Sequence, residues 1–279
     1  MRVDVEGRAL TLSNLDKVLY PRTSTTKGEV LDYYARAAPV LLPQLHGRAV
    51  TRVRWPDGVG SSSFFEKNIP SGAPSWIRRV RVRSNVFPVC EDLATLTWLA
   101  NTAALELHVH QWRVTPEGDP LPADRIVIDL DPGEPAGLPE ACQVALLVRE
   151  LVTGLGLALH PVASGSKGLH LYIPLPAPVP DPSGVARQIA EQLQSAYPNR
   201  VISSMTKEKR GGKVFLDWSQ NNPAKTTVAP WSLRGRDRPT VAAPLTWDEV
   251  EEGAEDPLAI EQPTISTALS RLDDHLSDF

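Results

Sequence analysis

Apolar residues recur along the chain in two rhythms. Helical spacing, with apolar positions three and four apart, runs through 27–42 ("KGEVLDYYARAAPVLL"), 92–107 ("DLATLTWLANTAALEL"), 139–155 and 183–196. Short aliphatic and β-branched runs of strand character fall at 48–54, 79–83, 86–89, 109–114, 125–130, 157–163, 169–174, 200–204 and 213–218. "PLPAPVPDPSG" (174–184) is a proline-rich loop that leads into a helix. Strands mix with helices without steady β-α-β alternation, which predicts a mixed α/β or α+β fold. No repeat, low-complexity tract or linker divides the chain, so a single domain over residues 1–279 is expected.

Composition narrows the class. The two cysteines, Cys90 and Cys142, lie far apart and fit neither a disulfide framework nor a zinc-ligand spacing. The opening "MRVDVEGRALTLSNLDK" is too polar for a secretory signal. No apolar run approaches the length of a membrane span. A cytoplasmic bacterial-type protein with no membrane partner is expected. The net charge of −4 argues against a nucleic-acid partner, but its distribution does not. Residues 247–279 hold ten Asp or Glu and one Arg, which leaves +5 for residues 1–246. A mildly basic body with an acidic end is compatible with a polyanion, and equally with a solvated C-terminal helix.

The candidate chemistry lies at strand ends. In "RIVIDLDPGE" (125–134) two carboxylates, Asp129 and Asp131, end a buried run. Residues i and i+2 of a strand share one face, roughly 6.6 Å apart, and hard divalent cations prefer carboxylate oxygens. Alone, the pair reads as a solvated strand end that starts a turn before Pro132. "KVFLDWSQNN" (213–222) delivers a third carboxylate, Asp217, from a second strand. Three carboxylates from two strands can hold two cations ~4 Å apart, as phosphoryl transfer requires. "ASGSKGLHLY" (163–172) is a small-residue turn between strands, with Gly165, Gly168, Ser164, Ser166 and Lys167. Backbone amides, hydroxyls and a lysine suit a triphosphate, though the phosphate-loop spacing is missing and an ordinary hairpin has the same pattern. Lys207, Lys209 and Arg210 precede Asp217, and Lys225, Arg234 and Arg236 follow it. In "ELHVHQW" (106–112), His108 and His110 could pair on a metal, but no further ligand follows at a zinc-like spacing. A polar contact from one of them to a nucleotide fits better. In "SSSFFEKN" (61–68), Phe64 and Phe65 stand in a polar, loop-like setting and cannot both face one core from a strand: either one is exposed and able to stack on a base, or both anchor a loop to the core.

Taken in order, these stretches resemble the polymerase domain of bacterial ligase D, in the archaeo-eukaryotic primase superfamily. The carrying stretches are "LSNLDKVLYP" (12–21), "TTKGEVLDYYARAAPVLLPQLHGRAVT" (25–51), "FFEKN" (64–68), "ALELHVHQW" (104–112), "DLDPGE" (129–134), "SGSKGLHLY" (164–172), "FLDWSQNN" (215–222) and "KTTVAPWSLRGR" (225–236). They span nearly the whole chain.

The resemblance implies an α+β primase-polymerase core of two packed mixed β-sheets with flanking helices. A DNA-end-binding part to about residue 90 would precede a catalytic core over about 91–246 and the acidic segment. It implies a nucleotidyltransferase, a template-directed polymerase that fills gaps or extends 3′ ends at DNA breaks. The implied cofactors are two divalent cations, Mn²⁺ or Mg²⁺, and the implied substrates are NTP or dNTP. Asp129, Asp131 and Asp217 fall at the catalytic, metal-binding positions. His108, Ser164, Ser166, Lys167, Arg210 and Arg234 fall where the family contacts the incoming nucleotide. Asn14, Lys17 and Lys27 fall where it grips a downstream 5′-phosphate, and Phe64 and Phe65 where it stacks on the template. Gapped or recessed DNA is the implied partner, with Ku and a DNA ligase beside it and the nucleoid as its place.

The sequence departs from the family at three points. Val53 stands in a usual Lys place within "TRVRWP", between Arg52 and Arg54. His110 replaces a usual Pro. The stretch Arg78–Cys90 is shorter than the family's loop that helps bring two DNA ends together, which favours gap filling over end synapsis. Two other classes use the same carboxylates or charges: a metal-dependent phosphodiesterase or nuclease, and a catalytically silent DNA-end-binding module. The SGSKG turn with Arg234 separates them from a polymerase, because only a polymerase needs a triphosphate grip.

Overall fold

The structure, a computed structural model, describes residues 1–273, so the end of the acidic segment, residues 274–279, lies outside it. Nine strands form two main sheets. In chain order they are β1 (Val50–Arg54), β2 (Phe64–Glu66), β3 (Ala104–Val109), β4 (Arg125–Pro132), β5 (His160–Ala163), β6 (Leu169–Pro174), β7 (Val201–Ile202), β8 (Val214–Asp217) and β9 (Thr227–Val228). One sheet has the order β5-β6-β4-β8-β7 and the other β9-β3-β1-β2. The five-stranded sheet is mixed through its single parallel pair, β7 with β8. The four-stranded sheet is antiparallel throughout, so only one of the two expected mixed sheets is mixed.

Each sheet buries one face against helices. Helices α1 (Lys27–Leu45) and α2 (Leu93–Asn101) cover the four-stranded sheet. Val30, Tyr33, Leu41, Leu96 and Leu99 form one core there with Val50, Leu105, Leu107 and Val109. Helices α3 (Leu138–Gly154), α4 (Pro182–Ala196) and α5 (Trp247–Glu255) cover the five-stranded sheet. Val144, Val148, Ile189, Leu193 and Val250 join Ile126, Ile128, Leu130, Leu169 and Leu171 in a second core. Each such aliphatic side chain contributes about 1.5–3 kcal/mol by leaving water. Strand alternation then turns the opposite faces toward each other. Val127 and Tyr172 of one sheet meet Val228 of the other, and the Tyr172 hydroxyl donates to the Val228 carbonyl at 3.2 Å.

Several elements differ from the expected ones. The helix expected over 92–107 ends at Asn101 and a strand begins at Ala104. Ala103 between them takes φ +58°, a turn conformation no helix allows. The strand expected over 109–114 is broken: β3 stops at Val109, and Trp112–Val114 pairs instead with Pro120–Ala123. Phe64 and Phe65, expected in a loop, lie on edge strand β2. The strand runs expected at 79–83 and 86–89 are both present and pair as a two-stranded hairpin, Arg79–Val82 with Asn85–Pro88. Within the acidic segment, α5 is an integral layer: it packs on α3, and its Glu249 pairs with Arg271.

Candidate active site

Register decides what faces the cleft between the sheets. Asp129 on β4 lies directly across from Asp217 on β8 and, on its other side, from His170 on β6. Asp131 follows on the same face. Isoleucine and leucine fill the alternate positions of β4 and point into the helical layer. The five-stranded sheet therefore presents three carboxylates and a histidine on one face.

The carboxylates are held from the side. The short turn Trp218–Asn221 after β8 folds back so that Ser219 donates to Asp217 Oδ1 through its amide at 2.9 Å and its hydroxyl at 2.5 Å. Gln220 Nε2 donates to Asp217 Oδ2 at 3.0 Å and reaches Asp129 Oδ2 at 3.4 Å. Lys225 Nζ donates to the Ser219 hydroxyl. Arg210 lies 3.4 Å from Asp131 Oδ2, with its guanidinium stacked 3.6 Å over Phe215. Burial, then the neighbouring charges of Asp217 and Asp131, push the Asp129 carboxyl up to about 7. Crowded negative charge of this kind is what a hard cation relieves. The donor set fits divalent cations in chemistry, although no three such side chains among the described residues stand at coordination distance from a common point.

Opposite lies the face of the four-stranded sheet that carries Glu106, His108, Val53 and Phe65. Val53 pairs across with Glu106 and Phe65 with Val53, so all share a side. The Phe65 and His108 rings meet edge to face at 6.4 Å. Both phenylalanines are more than half exposed, but adjacent strand residues diverge, so Phe64 points away from the face that Phe65 shares with His108. Arg52 and Arg54 pair with Leu107 and Ala104 and so leave the cleft. The buried Arg52 binds Glu66 at 2.7 Å and lies over the Trp98 ring of α2, and Arg54 binds Glu66 at 2.9 Å and the Thr102 carbonyl. Neither can stand in for a lysine at position 53.

The Ser164–Gly168 turn joins β5 to β6 and closes one end of the cleft. The Ser164 hydroxyl accepts from the amides of Ser166 and Gly168, so it shapes the turn. Gly165 takes φ +67°, and a side chain there would strike Arg234; a Cβ on Gly168 would strike the Leu130 carbonyl. Glycine at both positions lets the turn press against β4 and Arg234. Lys167 is exposed and has no hydrogen-bond or ion-pair partner among the described residues. Arg234 ties the two sheets together: its Nε donates to Glu106 at 3.1 Å and its Nη1 to the Ser164 carbonyl at 2.9 Å. The resulting cleft of about 270 Å³ is lined by His108, Asp129, Asp131, Ser164, Ser166, Lys167, His170, Gln220 and Arg234. Of the nucleotide-contact candidates, only Arg210 is outside this lining.

His110 is separate from His108. It is buried, stacks on Trp112 at 4.2 Å and packs against Phe87. Burial pulls its imidazole down to about 4, so it is a neutral packing group and the two histidines form no metal pair.

Asn14, Lys17 and Lys27 gather at the N-terminal end of α1, apart from the cleft. The Lys27 amide donates to the Lys17 carbonyl at 2.8 Å, and the Lys17 amide to the Asn14 carbonyl at 3.1 Å. Asn14 turns the chain at φ +53°. Lys27 Nζ is buried on the Ser13 carbonyl at 2.6 Å, and burial, then nearby Lys17, lowers its pKa. Lys17 Nζ contacts Asp57 at 2.7 Å.

Sequence reasoning missed Glu106, His170 and Gln220. Glu106 and His108 alternate with Leu105, Leu107 and Val109, a strand signal that the helix expected through 107 concealed. His170 alternates in the same way with Leu169 and Leu171. The role of Gln220 depends on a turn and had no periodic signal.

Comparison with known proteins gives the family and the fold. Residues 26–279 match the family described as LigD, primase-polymerase domain. The multifunctional non-homologous end joining protein LigD of Mycolicibacterium smegmatis is 53% identical over 247 residues, covering 86% of this chain and 32% of that protein. The bifunctional non-homologous end joining protein LigD of Bacillus subtilis is 37% identical over 267 residues, covering 94% of this chain and 42% of that protein. The chain thus spans between about a third and two fifths of these relatives. Among solved structures, the polymerase domain of Mycobacterium tuberculosis ligase D in complex with DNA superposes with a TM-score of 0.89 at 47% identity, over 95% of each chain. No helix among the described residues is long and apolar enough to cross a membrane.

Proposed function

The chain belongs to the LigD primase-polymerase family, and from that premise we propose that it is a template-directed nucleotidyltransferase that extends a 3′-hydroxyl at gaps and breaks in DNA. The observation that supports this most is the pairing of two unlike sites across one cleft. Asp129 and Asp131 line the cleft, with Asp217 paired directly across from Asp129 on the same face, and the cationic and hydroxyl donors of Lys167, Arg234 and Ser166 line it beside them. A nuclease needs the first set only. A polymerase needs both, because it must hold a triphosphate while a hydroxyl attacks it.

In this reading Asp129, Asp131 and Asp217 hold two divalent cations, Mn²⁺ or Mg²⁺. Bound there, such ions supply activation of the attacking oxygen and relief of charge on the leaving pyrophosphate. Gln220 and Ser219 fix the Asp217 and Asp129 oxygens before any ligand arrives. Lys167, Ser166 and the Arg234 Nη2 edge receive the triphosphate, and His108 contacts the nucleotide from the opposite sheet. Arg210 stands beside Asp131 as a further cation near the phosphates. Phe65, on the edge strand beside His108, stacks on a template base, and Phe64, exposed on the opposite side of that strand, is the second stacking candidate. Asn14, Lys17 and Lys27 take a downstream 5′-phosphate, with Lys17 leaving Asp57 to do so. End joining in the names of the relatives supports repair of double-strand breaks as the setting, and a DNA ligase and Ku are the partners this reading proposes there.

Single-nucleotide primer extension on gapped DNA tests the proposal. Asp217→Ala should abolish extension and leave DNA affinity largely intact, since that affinity comes from neutralising backbone charge. Degradation of DNA without triphosphate would point to the nuclease instead. Binding without extension by the wild type would point to a silent module.

A further inference from the structure

Glu106 faces the same cleft and has no role in the reading above. It is 7% exposed, on β3, two residues before His108. Its Oε2 accepts from His108 Nε2 at 2.7 Å. Its Oε1 accepts from Arg234 Nε at 3.1 Å and from the Gly235 amide at 2.9 Å. The Gly235 amide is held there by close packing: a side chain on Gly235 would overlap the Trp55 ring. Burial alone would push the Glu106 carboxyl up, but the His108 hydrogen bond and the Arg234 charge hold it down at about 2.

An ionised carboxylate only accepts. His108 Nε2 must therefore carry a proton, and Nδ1 is the ring nitrogen left for a ligand. Arg234 is fixed in the same way: Glu106 takes Nε, the Ser164 carbonyl takes Nη1, and Nη2 remains. Asp129 is an anion close enough to feel the Arg234 charge. An Arg234 freed from Glu106 has that carboxylate to turn to, and would then neutralise the wrong side of the cleft. Val53, directly across from Glu106, brings no donor that could draw it away.

We propose that Glu106 is a positioning residue for the nucleotide: it fixes the His108 tautomer and the Arg234 rotamer together, so that both face the triphosphate before it binds. The inference rests on the reading of the cleft as a triphosphate site. A buried carboxylate that merely balanced Arg234 would affect folding and nothing specific to the nucleotide.

The two oxygens can be tested separately. Glu106→Gln keeps an oxygen where Arg234 and Gly235 donate and turns its amide toward His108. His108 must then offer a lone pair at Nε2 and carry its proton on Nδ1. Glu106→Ala removes both contacts. Lys167→Ala, which has no contact with Glu106, reports on the cleft itself. The measurements are nucleotide KM and kcat in primer extension, binding of a fluorescent triphosphate, DNA affinity, and the ¹⁵N shifts of the His108 ring. Losing a hydrogen bond to a charged group weakens binding roughly tenfold to a hundredfold, so Glu106→Ala should raise the nucleotide KM by about tenfold or more and leave DNA affinity unchanged. Glu106→Gln should raise it less and move the ring proton between nitrogens. If Lys167→Ala weakens the nucleotide and neither Glu106 variant does, this inference fails and the cleft reading stands. If none of the three does, both fail. If the Glu106 variants lose DNA and nucleotide affinity equally, or if the His108 shifts are the same in Gln and wild type, the positioning role is refuted.

Discussion

Asp129→Asn should stabilise the metal-free fold even though it removes a catalytic candidate. The Asp129 carboxyl is pushed up to about 7, against about 3.9 for an unfolded aspartate. A rise of about 3 units, at 1.36 kcal/mol per unit, corresponds to at most about 4 kcal/mol. The Asp129 side chain is still 22% exposed, and solvent screening reduces this to about 2 kcal/mol. The sign follows from proton linkage. Below pH ~4 both states hold the proton and nothing is lost. Between pH ~4 and ~7 the folded chain holds a proton that the unfolded chain releases, so stability falls as pH rises; above ~7 the full penalty is present. Asparagine has no charge to desolvate and can still accept from Gln220. Thermal melts in chelator should show the variant ahead of wild type by roughly 3–6 °C at pH 8, and by about a third of that at pH 5. Mn²⁺ should raise the wild-type melting temperature, by about 2.7 kcal/mol of stability at a hundred times Kd, and should do less for the variant. An Asp129→Asn protein that melts at or below wild type at pH 8, or whose advantage does not change with pH, would refute the argument that the carboxylates are crowded and unrelieved.

Other perturbations separate the two binding regions. A recessed duplex with a downstream 5′-phosphate should bind roughly tenfold more tightly than its 5′-hydroxyl twin, and Lys27→Ala should erase most of the difference in a competition titration. Arg52→Ala should cost about 3 kcal/mol in denaturant melts by breaking a buried ion pair, with the salt dependence of DNA binding unchanged because Arg52 faces α2. Val53→Lys should alter the nucleotide KM, since the new ammonium enters the cleft face opposite Glu106. A slope of log affinity against log salt steeper by roughly 0.7–0.9 would place it on a DNA phosphate instead.

The sequence by itself determined the elements whose periodicity is unbroken. The alternation of Ile126, Ile128 and Leu130 with Val127, Asp129 and Asp131 already puts both carboxylates on one face of one strand, because a strand has a period of two wherever it lies. The glycine-rich turn at 164–168 was legible for the same local reason. What it could not reach was set by partners distant in sequence. That Asp217 sits opposite Asp129 is a matter of strand register. That Arg52 and Arg54 face a helix and not the cleft depends on which side of β1 meets α2. Glu106 lay hidden at the junction of a helix and a strand, where one apolar pattern runs into the next and the boundary is fixed by Ala103 taking a left-handed turn. Arg234 joins Glu106, 128 positions away, to Ser164, 70 positions away. Hydrogen bonds of that span leave no periodic trace in a chain, since each end obeys only its own strand or loop, and folding alone brings them together.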